Sequence, residues 1–204
     1  MAKHRFANPS PLGLCAFALT TIVLSMHNAG IGIPYGSANN IIVSLAFFYG
    51  GLAQMLAGMW DFANGVTFGA TAFTSYGAFW MSFAAILTPG FGILSSIKAG
   101  GHAANSLGIF LLGWVIFTFI MMIASYRATL MMAILFTLLE ITFIFLCIGE
   151  WRVSKTFMTL GGSFGFVTAL IAFYIAATHL INTSTGFSDL FDKSLAKPED
   201  TQEI

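Results

Sequence analysis

The chain has 204 residues, 57% apolar, 15% aromatic and only 8% charged, and its eight basic and eight acidic side chains cancel to a formal net charge of zero. Soluble globular proteins carry about 25% charged residues, so this composition excludes a water-soluble fold. The zero total by itself says nothing about a nucleic-acid or acidic partner, and no nucleic-acid partner is expected.

Two stretches, Phe6 to Trp60 and Phe62 to Ile97, hold no formal charge at all. About 20 apolar residues at ~1.5 Å rise each cross ~30 Å of hydrocarbon, and lipid demands that backbone polar groups be satisfied within the segment. Helices meet that demand, whereas the alternating polar and apolar pattern of a membrane barrel is absent. The expected fold is therefore all-α and polytopic. Its six spans are Pro11 to Ile33, Gly36 to Trp60, Phe62 to Leu87, Ala103 to Ala124, Ala128 to Gly149 and Thr156 to Asn182. Residues 1–10 form an N-terminal segment, 11–182 the membrane domain and 183–204 a polar tail too poor in apolar surface to pack, expected to be partly disordered.

Six spans place both termini on one side. Lys3, Arg5, Arg127, Lys193 and Lys197 fall there, against Lys98, Arg152 and Lys155 on the other, which favours cytoplasmic termini at the plasma membrane. The first apolar stretch is over-long for a signal peptide and lacks a small-x-small cleavage site, so it is expected to be retained. Thr88 to His102, which carries Pro89, Gly90, Gly92, Gly100 and Gly101, is expected to be the one long loop, on the outer face. Cys15 and Cys147 should lie ~20 Å or more apart in depth, too far for a disulfide.

Several polar residues interrupt the spans. Thr21 on the first span, and Asn64, Thr67, Thr71, Thr74 and Ser75 assigned to the third, either hydrogen-bond to their own helices or line a wet path. Gly65 and Gly69, and Gly161 and Gly165, recur at four-residue spacing, which suits close helix packing within one bundle or between subunits. Gly50-Gly51 and Gly161-Gly162 can also mark irregular helix. Glu140, flanked by Leu138, Leu139 and Ile141, is the one charge expected deep inside a span. It is a proton-coupling candidate, a neutral acid hydrogen-bonded between helices, or an acid facing a water-filled vestibule. The histidines at 4, 27, 102 and 179 form no ligand pair, and no hydrolase elbow, P-loop or zinc-protease motif occurs. No enzyme, metal or cofactor is expected.

The chain opens with Asn8-Pro9-Ser10-Pro11-Leu12-Gly13-Leu14. It continues with Phe48-Tyr49-Gly50-Gly51-Leu52-Ala53-Gln54, Ala57-Gly58-Met59-Trp60, the run NGVTFGATAF from Asn64 to Phe73, and Ser75-Tyr76-Gly77-Ala78-Phe79-Trp80. The first motif resembles the N-P-A-P-L-G-L signature of the acetate uptake transporter family, which includes the succinate-acetate permeases, and the others follow in that family's order. Read physically, the heptapeptide starts a helix: Asn8 suits the N-cap and Pro9 the first helical position. The alternative is contact with a substrate carboxylate through Asn8 and Ser10.

The resemblance implies six helices surrounding a pore within each protomer, a homohexamer in the bilayer, and passage of acetate or other small carboxylates, with protons, through a narrow apolar ring. By motif the ring corresponds to Phe17, Tyr76 and Leu139, although a one-residue slip would exchange Leu139 for Leu138. Helix counting from the expected boundaries puts Phe17 and Tyr76 at different depths. Asp61 is followed by Phe62-Ala63-Asn64 where family members often carry basic residues, which leaves Arg127 to attract anions at the inner face. Ammonium or ammonia export, also associated with the family, and a non-transporting scaffold or sensor are the rival readings.

Overall fold

The computed structural model describes residues 6–181 and 194–195, so all but two residues of the tail expected to be partly disordered lie outside the described part. Six helices are long and apolar enough to cross a membrane: α1 Ser10–Ala29, α2 Ile41–Asn64, α3 Thr67–Leu87, α4 Ala103–Ser125, α5 Leu130–Arg152 and α6 Lys155–Leu180. The protein is an all-α polytopic membrane protein. Successive spans alternate in direction, so α1, α3 and α5 begin on the same face, hereafter the N-terminal face, and α2, α4 and α6 end there. Leu195 N–H donates to Ala128 O at 2.9 Å, and Ser194 bridges Thr129, which ties the tail to the link between α4 and α5 on that face.

The helix starts follow from local chemistry. Asn8 Oδ1 accepts from Ser10 N–H at 3.0 Å, Pro9 already has helical angles (φ −83°, ψ −12°), and Gly13 N–H donates to Pro9 O at 3.1 Å. Proline is tolerated at this position because its missing N–H would be an orphan in any case. Thr129 caps α5, its side chain accepting from Met132 N–H at 3.3 Å.

The helix ends depart from the expected boundaries. Gly30, at φ 73°, terminates α1 four residues early, because the left-handed conformation it adopts turns the chain out of the helix. The second and third spans were expected to divide at Asp61. They divide instead at Gly65 (φ 78°), and Val66 N–H closes the turn on Asp61 O at 2.9 Å. A charge does not stop a helix, whereas a left-handed glycine does. Asp61 is consequently inside α2 and 1% exposed, and Asn64 belongs to the end of α2 rather than to the third span. The expected long loop after α3 is partly ordered, with a 3₁₀ turn at Pro89–Phe91 and a short helix at Ile93–Ala99.

Two glycine pairs behave differently. Around Gly50-Gly51 the hydrogen bonding shifts to a π-helical segment, Phe48–Ala53, within α2. Gly161-Gly162 leaves α6 unbroken and lets it approach its neighbours: a Cβ at Gly162 would sit 2.5 Å from Ala29 N of α1, and one at Gly161 would sit 2.7 Å from Leu146 of α5. In lipid no hydrophobic force draws helices together, so such backbone proximity and buried hydrogen bonds hold the bundle. Two of these bonds join α4 to its neighbours: Tyr76 to Thr118 at 2.9 Å, and Cys147 Sγ donating to Gly108 O at 3.4 Å. The outer face of α4, with Ile109, Ile116, Ile120 and Ile123 exposed, would be untenable in water and suits hydrocarbon.

Candidate functional site

The shifted boundary between α2 and α3 sets the depth of the key side chains. Phe17 lies seven residues from the start of α1, and Tyr76 and Leu139 each lie nine residues from the starts of α3 and α5. All three helices start on the N-terminal face, so at ~1.5 Å per residue the three side chains come within ~3 Å of one level. The mismatch that follows from counting α3 from Phe62 disappears, and the rings of Phe17 and Tyr76 meet with centroids 6.0 Å apart.

Two cavities flank this level. One, of about 100 Å³, opens toward the N-terminal face between the first turns of α1, α3 and α5; Ser10, Leu14, Gln54, Phe68, Gly69 and Leu135 are among its lining residues. The other, of about 30 Å³, lies on the far side and is lined by Thr21, Ser25, Asn28, Trp80, Thr142 and Leu146, among others. Phe17, Tyr76 and Leu139 are the three residues that border both. They are 6%, 3% and 3% exposed, so the wall between the cavities is closed and dry.

Tyr76 is held rigidly in this wall. Its ring packs on Trp114, Phe117, Phe136 and Phe143 at centroid separations of 6.1, 5.4, 6.3 and 6.4 Å. Its hydroxyl is hydrogen-bonded to Thr118, a residue that sequence reasoning did not single out. Packing on all these rings restricts its rotation and fixes its place in the wall.

The remaining expected residues separate into three groups. Ser10 lines the N-terminal cavity and Thr21 the far one, where Thr21 Oγ1 is buried and accepts or donates no hydrogen bond. Asn8 is exposed and engaged with Ser10 N–H; Thr71 lines a shallow surface pocket with Arg127; and Thr74, whose Oγ1 is buried without a partner, packs against Gly58 and borders neither cavity. Glu140 is 6% exposed, its Oε2 has no hydrogen-bond partner, and it lies just behind Leu139 without lining either cavity.

Gln54 was missed. It is 1% exposed, follows the π-helical segment directly, and presents to the N-terminal cavity an amide whose Oε1 has no partner. A buried amide in a lipid-crossing run is costly unless it serves a polar ligand or pathway, and that cost was the readable signal. Chemically, the arrangement is an apolar wall with a few uncharged polar groups on each side, namely Ser10 and Gln54 below and Thr21, Ser25 and Asn28 above. Such groups can replace part of the hydration of a small polar solute.

Residues 1–196 match the GPR1/FUN34/yaaH family. The chain is 48% identical over 177 residues to ammonia transport outward protein 2 of Saccharomyces cerevisiae, covering 85% of this chain and 61% of that one. It is 46% identical over 198 residues to acetate permease A of Emericella nidulans, covering 90% and 65%. It therefore spans about three-fifths to two-thirds of the length of these fungal relatives. Its fold is similar to the structure of the bacterial acetate channel SatP, with a TM-score of 0.77 and 33% identity, covering 91% of this chain and 98% of that one.

Proposed function

Because the chain belongs to the GPR1/FUN34/yaaH family, we propose that it is a membrane transporter or channel, not an enzyme, for acetate and related short carboxylates such as succinate, coupled to protons. The observation that carries this reading is the single level at which Phe17, Tyr76 and Leu139 separate two polar-edged cavities. Acetate has one carboxyl and one methyl. A carboxylate stripped of all its water costs many kcal/mol, whereas the protonated acid, or a carboxylate briefly held by Ser10, Gln54 and Thr21, crosses an apolar ring at far lower cost.

The reading extends to a homohexamer of separate pores in the plasma membrane with both termini cytoplasmic. The N-terminal cavity then faces the cytoplasm, and Arg127, near the α4–α5 link, raises the local anion concentration there. Asn8 and Ser10 are placed at the inner mouth, with Thr71 and Thr74 on the same helix as Tyr76 and Thr21 beyond the ring. Glu140, behind Leu139, is the proposed proton-coupling group: an unpaired carboxyl at that depth is costly as an anion, so it exchanges a proton as substrate passes.

Labelled acetate flux into proteoliposomes, with and without an imposed pH gradient, tests the reading. Uptake that saturates and rises with an inward proton gradient is expected; proteoliposomes no more permeable to acetate than empty vesicles would refute it and favour a scaffold or sensor. The 48% identity to a protein named for ammonia transport favours a second reading, in which the same apolar ring passes neutral ammonia. Competition decides between them: excess ammonium should leave acetate flux unchanged on the first reading and suppress it on the second.

A further inference from the structure

Glu140 is not the only carboxyl buried in the spans. Asp61 is 1% exposed, and its Oδ2 has no hydrogen-bond partner. It stands one turn before the end of α2, close to the N-terminal face, where sequence reasoning had left it between two spans. Its carboxyl lies directly on the backbone of Gly69: a Cβ at position 69 would fall on Asp61 Oδ2. Gly69 is in turn a lining residue of the N-terminal cavity, so one glycine separates the carboxyl from the space below the ring.

Among the described residues, the helices packed against this part of α2 offer it no counter-charge, and the segment before α1 reaches it through Phe6, whose ring lies 4.9 Å from that of Trp60. α3 carries Tyr76 as its sole titratable side chain, and that hydroxyl is bonded to Thr118. α1 carries Cys15 and His27, the latter in its last turn at the opposite face, and α2 itself adds only Tyr49. Around Glu140 the position is similar. α4 has no titratable side chain, α6 has Lys155 at its far end with Tyr174 and His179 toward its close, α3 supplies Tyr76, and α5 itself adds Cys147, Glu150 and Arg152 about two turns or more further on.

We propose that Asp61 is a second proton-exchanging carboxyl of the transport path, stationed beside the N-terminal cavity, and that Gly69 is small in order to leave it room against that cavity. Taken with Glu140, it gives the path one carboxyl about one turn from the N-terminal face and another at the level of the ring, ten residues into α5. With no cation on the helices packed against it, an anion of either group is costly there, so a proton arriving from the cytoplasmic face or leaving to it has a defined stopping place below the ring. This inference rests on the proton-coupled transport reading and adds to it the group through which coupling reaches the inner mouth.

The experiment compares two quantities in proteoliposomes: acetate accumulated under an imposed pH gradient, and acetate exchanged at equal pH. Asp61→Asn keeps the shape of the side chain and removes its proton exchange, and the ratio of accumulation to exchange should fall about tenfold. Gly69→Ala keeps the carboxyl and displaces it, and should lower the same ratio, whereas Asp61→Glu should restore part of it. A native ratio in Asp61→Asn overturns the inference. Should that variant not assemble, a native ratio in Gly69→Ala overturns it equally. If the unmodified protein exchanges acetate but never concentrates it along a pH gradient, this inference and the role of Glu140 fail while the transport reading stands; if it moves no acetate, the transport reading itself fails.

Discussion

The hydroxyls of Tyr76 and Thr118 meet at 2.9 Å with both residues buried, joining α3 to α4 at the level where the two cavities are closed off. Tyr76 is thereby oriented from behind, by a residue that touches neither cavity. Removing one partner of a buried pair leaves the other unsatisfied, which costs ~1–3 kcal/mol, more than the net worth of the bond. Thr118→Val and Tyr76→Phe should therefore each lower thermal stability in detergent, and the double variant should recover part of the summed loss. Additivity in the double variant would show that the bond does not orient the ring.

On the proposed reading, three side chains on three helices limit passage. Shortening Leu139 or Phe17 to Ala is expected to admit larger acids such as lactate, measured as labelled lactate uptake beside acetate uptake. The change should be at least about tenfold in relative rate, since truncating either residue removes several methylenes' worth of packing from the wall. A substrate range unchanged in both variants would mean that passage is limited elsewhere.

Glycine positions on different helices should respond in opposite directions. Gly162 lies against the backbone of Ala29, and an added Cβ has nowhere to go, so Gly162→Ala should destabilise the bundle by ~2 kcal/mol or more. At Gly113 in α4 nothing lies within 4 Å of the added atom, so Gly113→Ala should stabilise by up to ~1 kcal/mol through helix propensity alone. Unfolding midpoints in detergent read both. A neutral Gly162→Ala would contradict the close approach of α1 and α6.

At the first motif, Asn8→Ala removes the acceptor of Ser10 N–H and should cost ~1 kcal/mol of stability, which Asn8→Asp or Asn8→Ser should largely restore. If acetate affinity falls in Asn8→Ala while its melting temperature is native, the side chain serves the substrate instead of the helix.

The number and class of the spans were readable without any structure, because excluding charge from hydrocarbon is a demand on composition that each segment meets alone. The residues of the ring were readable only by motif. Nothing in the spacing of Phe17, Tyr76 and Leu139 distinguishes them from the other apolar side chains around them, Thr118 carries no local mark of its contact with Tyr76, and Gln54 was marked only as an amide within an apolar run. Asp61 was misread for a definite reason: its charge was taken as the end of a helix that in fact runs on to Gly65.

Composition alone thus determined that this chain crosses a membrane six times as helices, since desolvation of charge and of the peptide backbone is a local cost. Tertiary structure alone decided which side chains share a level. That depends on where each helix begins, and the left-handed turn at Gly65, four residues beyond the division expected at Asp61, brings Tyr76 down to Phe17 and Leu139 and carries Asp61 into the bundle. Relative depth is a property of three helices packed together, and no single segment contains it.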